Sequence, residues 1–224
     1  MSNFTDDLLI NQLKIEPRVL EVVNKCEKEI TEQFAKLDDV TAYNQYKVLA
    51  ALQKNRIADM HFSWNTGYGY DDAGRAAVER VYSDIFGTED ALVRTTIVNG
   101  THALAITLMG VLRPGDELIY CSGSPYDTLE EVIGTRGEGM GSLKEYGITY
   151  KQVELLPDGS IDLEALGKTI SSKTKMVSVQ RATGYGWRKA ITVNQIQEMC
   201  SFVHEINPDI VCMADNCYGE FFGY

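Results

Sequence analysis

The sequence predicts a three-layer αβα fold with a mostly parallel sheet, preceded by a group of helices. From Ala91 onward, short apolar runs alternate with helix-length segments, the pattern of strands joined by helical crossovers. Runs such as residues 210–214 are apolar throughout rather than at every second position, so each strand is expected to be buried on both faces. Polar residues follow several runs directly, which is where open α/β sheets form their ligand crevice.

The 224 residues suit one large domain with an added arm, divided as a helical arm over residues 1–57 and a ligand-binding domain over residues 58–224. A net charge of −11 argues against a general nucleic-acid or anionic-membrane surface, so a phosphate ligand needs local donors. The five cysteines form no Cys-x-x-Cys pair and are odd in number. Neither a disulfide framework nor a metal site is therefore expected, and a reducing cytoplasm fits. The amino terminus lacks the basic and apolar stretches of a signal peptide, and no run approaches a membrane span.

Residues 5–57 read as helices, with Pro17 suited to a first turn and Val19, Leu20, Val22, Val23, Ile30, Phe34 and Leu37 forming an apolar stripe. A second helical run is expected over 43–57, and both pack on their own domain or on a partner subunit. Residues 59–74 interleave glycines with tyrosines, the texture of a sharply bending loop whose rings face a partner or ligand or else pack in a buried tyrosine corner. An amphipathic helix over 72–86 closes at Gly87.

A strand is expected over 91–98, then the turn Asn99-Gly100-Thr101-His102-Ala103, then a helix over 104–112. This puts the backbone N–H groups of Gly100, Thr101 and His102 at a helix N-terminus, where an anion gains hydrogen bonds and the favourable end of the helix dipole. An ordinary threonine cap is the plainer reading. The pattern is neither a Walker loop nor the dinucleotide Gly-x-Gly-x-x-Gly fingerprint.

Residues 117–121 form the next strand and lead into Tyr126, whose ring can lie flat on a planar ligand or simply pack in the core. The glycine-rich stretch 134–141 is a lid or a linker. Strands follow over 148–153 and 175–179, the second ending in Gln180 and Arg181, with Arg188 close behind. Gln180 can hydrogen-bond a ligand ring oxygen, and Arg181 or Arg188 can fork onto a carboxylate, although a solvated loop remains the alternative. A helix over 194–206 delivers the chain to the strand 210–214, and Asp215 falls at its carboxyl end, as a ligand partner or as a cap on the next turn.

The motifs Thr66-Gly-Tyr-Gly-Tyr70-Asp-Asp-Ala-Gly-Arg75, Asn99-Gly-Thr-His-Ala103, Gln180-Arg181 and Asp215-Asn-Cys-Tyr-Gly-Glu220 together resemble the aluminium-resistance proteins. These are a branch of the fold-type I pyridoxal phosphate enzymes related to cystathionine lyases and methionine gamma-lyases. The resemblance covers nearly the whole chain. It implies the large domain of a pyridoxal 5′-phosphate-dependent transferase-like fold and a lyase that cleaves a carbon–sulfur bond in a sulfur-containing amino acid. It further implies a homodimer or homotetramer.

In such enzymes Gly100, Thr101 and His102 would bind the cofactor phosphate, Tyr126 would stack on the ring and Gln180 would reach the ring oxygen. Asp215 would partner the ring nitrogen and keep it protonated. Tyr70 and Arg75 are the counterparts of residues that reach a neighbouring subunit's phosphate, and Arg181 and Arg188 would hold the substrate carboxylate. Asn99 replaces the usual serine, and Ala182-Thr183 replaces Ser-Arg. The lysine that holds the cofactor in relatives lies beyond their aspartate, in a motif this sequence lacks, so the chain reads as the N-terminal half of a longer enzyme, inactive as it stands. Two other readings stay open: a phospholigand-binding α/β protein, and a non-catalytic protein that kept the scaffold.

Overall fold

The computed structural model describes residues 3–70, 72–221 and 223. The chain divides into two compact units, Met1–Leu92 with Phe221–Tyr224, and Val93–Glu220.

The first unit is helical. It contains α1 (Asn3–Asp7), a π turn (Leu8–Gln12), α2 (Pro17–Glu29), α3 (Thr31–Lys54), a 3-10 turn (Asp59–Phe62) and α4 (Ala73–Phe86). Pro17 opens α2, where its missing N–H costs no intrahelical bond. Ile30, at φ −106°, separates α2 from α3. The expected helix over 43–57 thus begins earlier, because residues 31–42 are helix-compatible and nothing after Ile30 interrupts them. Asp72 caps α4 by accepting from the Arg75 N–H at 2.9 Å, and Gly87 ends it at φ +64°.

Ala51 of α3 packs with Val81 and Ile85 of α4, joined by Val48, Leu52 and Ile57. This shared core places α4 in the same compact unit as α3. Buried Asn44 donates to the carbonyls of Val40, Phe221 and Gly223, tying the last described residues to α3. Of the predicted stripe only Leu20 is buried; Val19, Phe34 and Leu37 are about half exposed.

The second unit is a three-layer α/β sandwich. Its elements are α5 (Gly100–Val111), β1 (Glu117–Tyr120), α6 (Asp127–Ile133), β2 (Thr149–Gln152), α7 (Leu163–Thr169), β3 (Thr174–Gln180), α8 (Val193–Ile206) and β4 (Val211–Asp215). The strands run in the order β2-β1-β3-β4, and every pairing is parallel. Alternation along each strand feeds two cores. Leu118, Tyr120, Met176 and Met213 meet Leu108 of α5 and Leu129 and Ile133 of α6. On the opposite face Ile119, Val177 and Val179 meet Leu166 of α7 and Met199 and Val203 of α8.

The strand expected over 91–98 is not formed. Its β-branched residues favour extended backbone, but a strand exists only through a ladder, and the segment instead turns, with the Ile97 N–H donating to the Arg94 carbonyl at 3.1 Å. At the amino-terminal end of the sheet, Glu117 of β1 is 4% exposed. Its carboxylate accepts from Lys151 at 2.8 Å, Thr174 at 2.6 Å and Ser171 at 2.9 Å, which ties β1 to β2 and to the start of β3. No helix among the described residues is long and apolar enough to cross a membrane.

Candidate active site

Because β1 has β2 on one side and β3 on the other, the connections leave it in opposite directions, and a crevice opens at the carboxyl ends of β1 and β3. It is a cleft of about 1030 Å³ whose walls include Ser122, Tyr126, Gln180, Tyr185, Trp187 and Arg188. The Ser122 hydroxyl accepts from the Gln180 N–H at 2.9 Å, joining the two strand ends.

Tyr126 lies just ahead of α6. Its hydroxyl is 2.8 Å from that of Tyr185, and the two rings stack with centroids 5.6 Å apart at 26°. The hydrogen bond to Tyr185, followed by Tyr185's charge, pushes the Tyr126 hydroxyl up to about 12. Tyr185→Phe is therefore expected to return Tyr126 toward the ordinary tyrosine range, read as an earlier rise in tyrosinate absorbance on alkaline titration; an unmoved midpoint would dissociate the pair.

Gln180 ends β3 and is 6% exposed; its amide oxygen has no hydrogen-bond partner among the described residues. Asp215 ends β4 directly opposite Gln180 in the parallel register. Asp215 Oδ1 accepts from the Cys217 N–H at 3.0 Å and from the Cys217 thiol at 3.2 Å, so the turn cap predicted as its plainer role is present. Arg188 bonds the carbonyls of Gln180, Ala182 and Lys189, and burial lowers the pKa of its guanidinium. Arg181 donates to Asn216 Oδ1 and the Gly219 carbonyl, both at 2.8 Å, and so fixes the loop after Asp215.

Of the predicted phosphate donors, His102 is already satisfied, since the Asn99 side chain caps α5 by accepting the His102 N–H at 2.8 Å. Gly100 and Thr101 occupy the first turn, where N–H groups have no intrahelical acceptor. The Thr101 hydroxyl lies 2.7 Å from that of Thr128 in α6. The second unit therefore gathers Tyr126, Gln180 and Arg188 around one cleft, with Asp215 beside Gln180. Tyr70 and Arg75 belong to the first unit, where Tyr70 is exposed and the Arg75 guanidinium lies against Gly69, close enough to block a Cβ there at 2.7 Å.

Tyr185 was not among the predicted site residues, although its setting between Gly184 and Gly186 repeats the Gly67-Tyr-Gly69 texture. Among the described residues no group of His, Cys, Asp and Glu side chains has the arrangement of a metal site.

The profile of the methionine gamma-lyase family matches residues 19–224. The chain belongs to that family. It is 46% identical over 206 residues to YnbB, an uncharacterized protein of Bacillus subtilis (strain 168), covering 90% of this chain and 49% of that protein. A carbon-sulfur lyase involved in aluminum resistance from Clostridium novyi NT superposes with a TM-score of 0.92 at 44% identity, covering 100% of this chain and 53% of that one. A Listeria innocua protein whose name also refers to cystathionine beta-lyase and aluminum resistance has a TM-score of 0.87 at 51% identity, covering 92% and 50%. The resemblance read from the motifs is borne out at the level of family and fold. The chain spans about half the length of these relatives.

Proposed function

We propose that this chain carries the pyridoxal phosphate site of a lyase that cleaves a carbon–sulfur bond in a sulfur-containing amino acid. The observation that carries the reading is the register of Gln180 against Asp215, with a buried Gln180 oxygen that lacks a partner at the crevice wall. An unpaired acceptor is costly in an interior and inexpensive beside a ligand site, where an ordered water or a ligand brings the donor.

The residues fit such a cofactor. Gly100 and Thr101 offer N–H groups and a hydroxyl to a phosphate, Tyr126 offers a ring face, and Asp215 offers a negative charge to a ring nitrogen. Tyr70 and Arg75 are assigned to the phosphate of a second subunit in a homodimer or homotetramer. Arg188 meets only carbonyl oxygens among the described residues, so it retains a full charge to hold the substrate carboxylate. Arg181 acts beside it by fixing the Asp215 loop. When bound, the cofactor supplies an electron sink for charge developing at the substrate's α-carbon.

The test uses 4-deoxypyridoxine 5′-phosphate, which has the ring and phosphate but no aldehyde and so cannot react with surface lysines. Trp187 lines the cleft and is fully exposed. Its fluorescence, isolated in a Trp64→Phe background, is expected to quench on titration, with inorganic phosphate competing. No quenching would overturn the reading. Binding no tighter than that of inorganic phosphate would favour a phospholigand-binding protein without ring recognition.

A further inference from the structure

Three polar atoms are buried along one face of the sheet without a hydrogen-bond partner among the described residues: the Tyr120 hydroxyl, the Ser178 hydroxyl and the Gln180 amide oxygen. They are not scattered. Tyr120 and Ser178 are directly opposite each other across β1 and β3, and Gln180 follows Ser178 by two residues on the same face. Gln180 in turn lies opposite Asp215, two residues beyond Met213 on the α5–α6 face. Tyr120 and Ser178 are both 0% exposed. Burial raises the pKa of the Tyr120 hydroxyl, and the charge of Asp215 raises it further; the neighbouring Ser178 hydroxyl offsets part of this without reaching hydrogen-bonding geometry.

Packing alone would be served by phenylalanine at 120 and alanine at 178, neither of which buries an unpaired hydroxyl. The donors and acceptors are complementary. Two hydroxyls bring protons, whereas the Gln180 oxygen only accepts. Asp215 Oδ1 is taken by Cys217, which leaves Oδ2 without a protein donor among the described residues. One internal water can accept from both hydroxyls and donate to Gln180 and to Asp215 Oδ2, the coordination buried waters adopt.

We propose that Tyr120 and Ser178 are positioning residues for Asp215, acting through an internal water held by their hydroxyls and by the Gln180 amide oxygen. The inference rests on the assignment of Asp215 to a ring nitrogen. The water orients the carboxylate and supports its charge, and neither hydroxyl, both fully buried, touches substrate.

The experiment follows 4-deoxypyridoxine 5′-phosphate labelled with 15N in its ring, bound to the chain and to Tyr120→Phe and Ser178→Ala, each of which removes one oxygen and keeps the fold's shape. With the original chain, a bound signal of the protonated ring supports the assignment of Asp215; no binding overturns that assignment and this inference together. In each variant the signal is expected to move toward the neutral ring and the affinity to fall about three- to tenfold, the worth of one hydrogen bond. Variants that bind with unchanged signal and affinity, with melting temperature equal or higher, would show hydroxyls that only fill space and would overturn the inference while leaving Asp215's assignment intact.

Discussion

Glu117→Ala is expected to lower the stability of the second unit by about 2–3 kcal/mol, the cost of stripping partners from buried hydrogen-bonding groups. The carboxylate receives Lys151, Thr174 and Ser171, and its removal leaves two buried or half-buried hydroxyls without their acceptor. Lys151 is partly exposed and regains water, which keeps the loss below that of a fully buried pair. The same site sets an acid limb. Burial pushes the Glu117 carboxyl up, but the hydrogen bonds from Lys151, Thr174 and Ser171 and the charge of Lys151 outweigh it and hold it below the ordinary glutamate range.

A depressed folded-state pKa means that the contribution is complete above the unfolded value, about 4.3. It is lost as pH falls through the lower folded value. Urea unfolding of the chain and of Glu117→Gln over a pH series should show a gap that is constant near neutrality and closes in acid. Parallel profiles would mean that the ion pair contributes nothing in the folded chain.

What the sequence made legible followed from local composition. Short runs rich in apolar residues marked β1, β3 and β4 to within a residue, because a strand facing a core carries apolar side chains there, whereas β2, placed as closely, is mostly exposed and carries Thr149, Lys151 and Gln152. Asp72 and Gly87 marked α4 because caps are read from single side chains. The segment 91–98 misled for the opposite reason. Its composition is that of a strand, but pairing is a property of neighbours and not of the segment.

The site divides along the same line. Residues tied to a strand end or a helix start, such as Asp215, Gln180 and Thr101, were identifiable from their position in the pattern. Tyr185 reaches Tyr126 only because the loop after β3 folds back, across 59 positions of sequence. Asn99 takes the His102 N–H because an asparagine one residue before a helix caps it, which leaves Gly100 and Thr101 as the donors for an anion. Tyr120 and Ser178 were hidden by looking like ordinary core positions, and only their unpaired hydroxyls distinguish them.

Replacing Asp215 should have the largest effect on ligand binding. As the proposed partner of a protonated ring nitrogen it would supply a charge-assisted hydrogen bond, worth about 1.5–3 kcal/mol, or roughly 10- to 150-fold in affinity. The competing role is visible too, since Asp215 Oδ1 caps the turn at Cys217. Two variants separate the roles. Asp215→Asn keeps an oxygen that can accept the Cys217 N–H but has no charge, whereas Asp215→Ala loses both. If the charge matters, both variants should bind 4-deoxypyridoxine 5′-phosphate about 10- to 150-fold more weakly, while inorganic phosphate should bind both as it binds the original chain, because the donors proposed for it lie at the start of α5. The melting temperature should fall only in Asp215→Ala, by the loss of a cap worth about 1 kcal/mol. Should Asp215→Asn bind the probe as tightly as the original chain, Asp215 is a cap and nothing more, and the electronic role proposed for it falls.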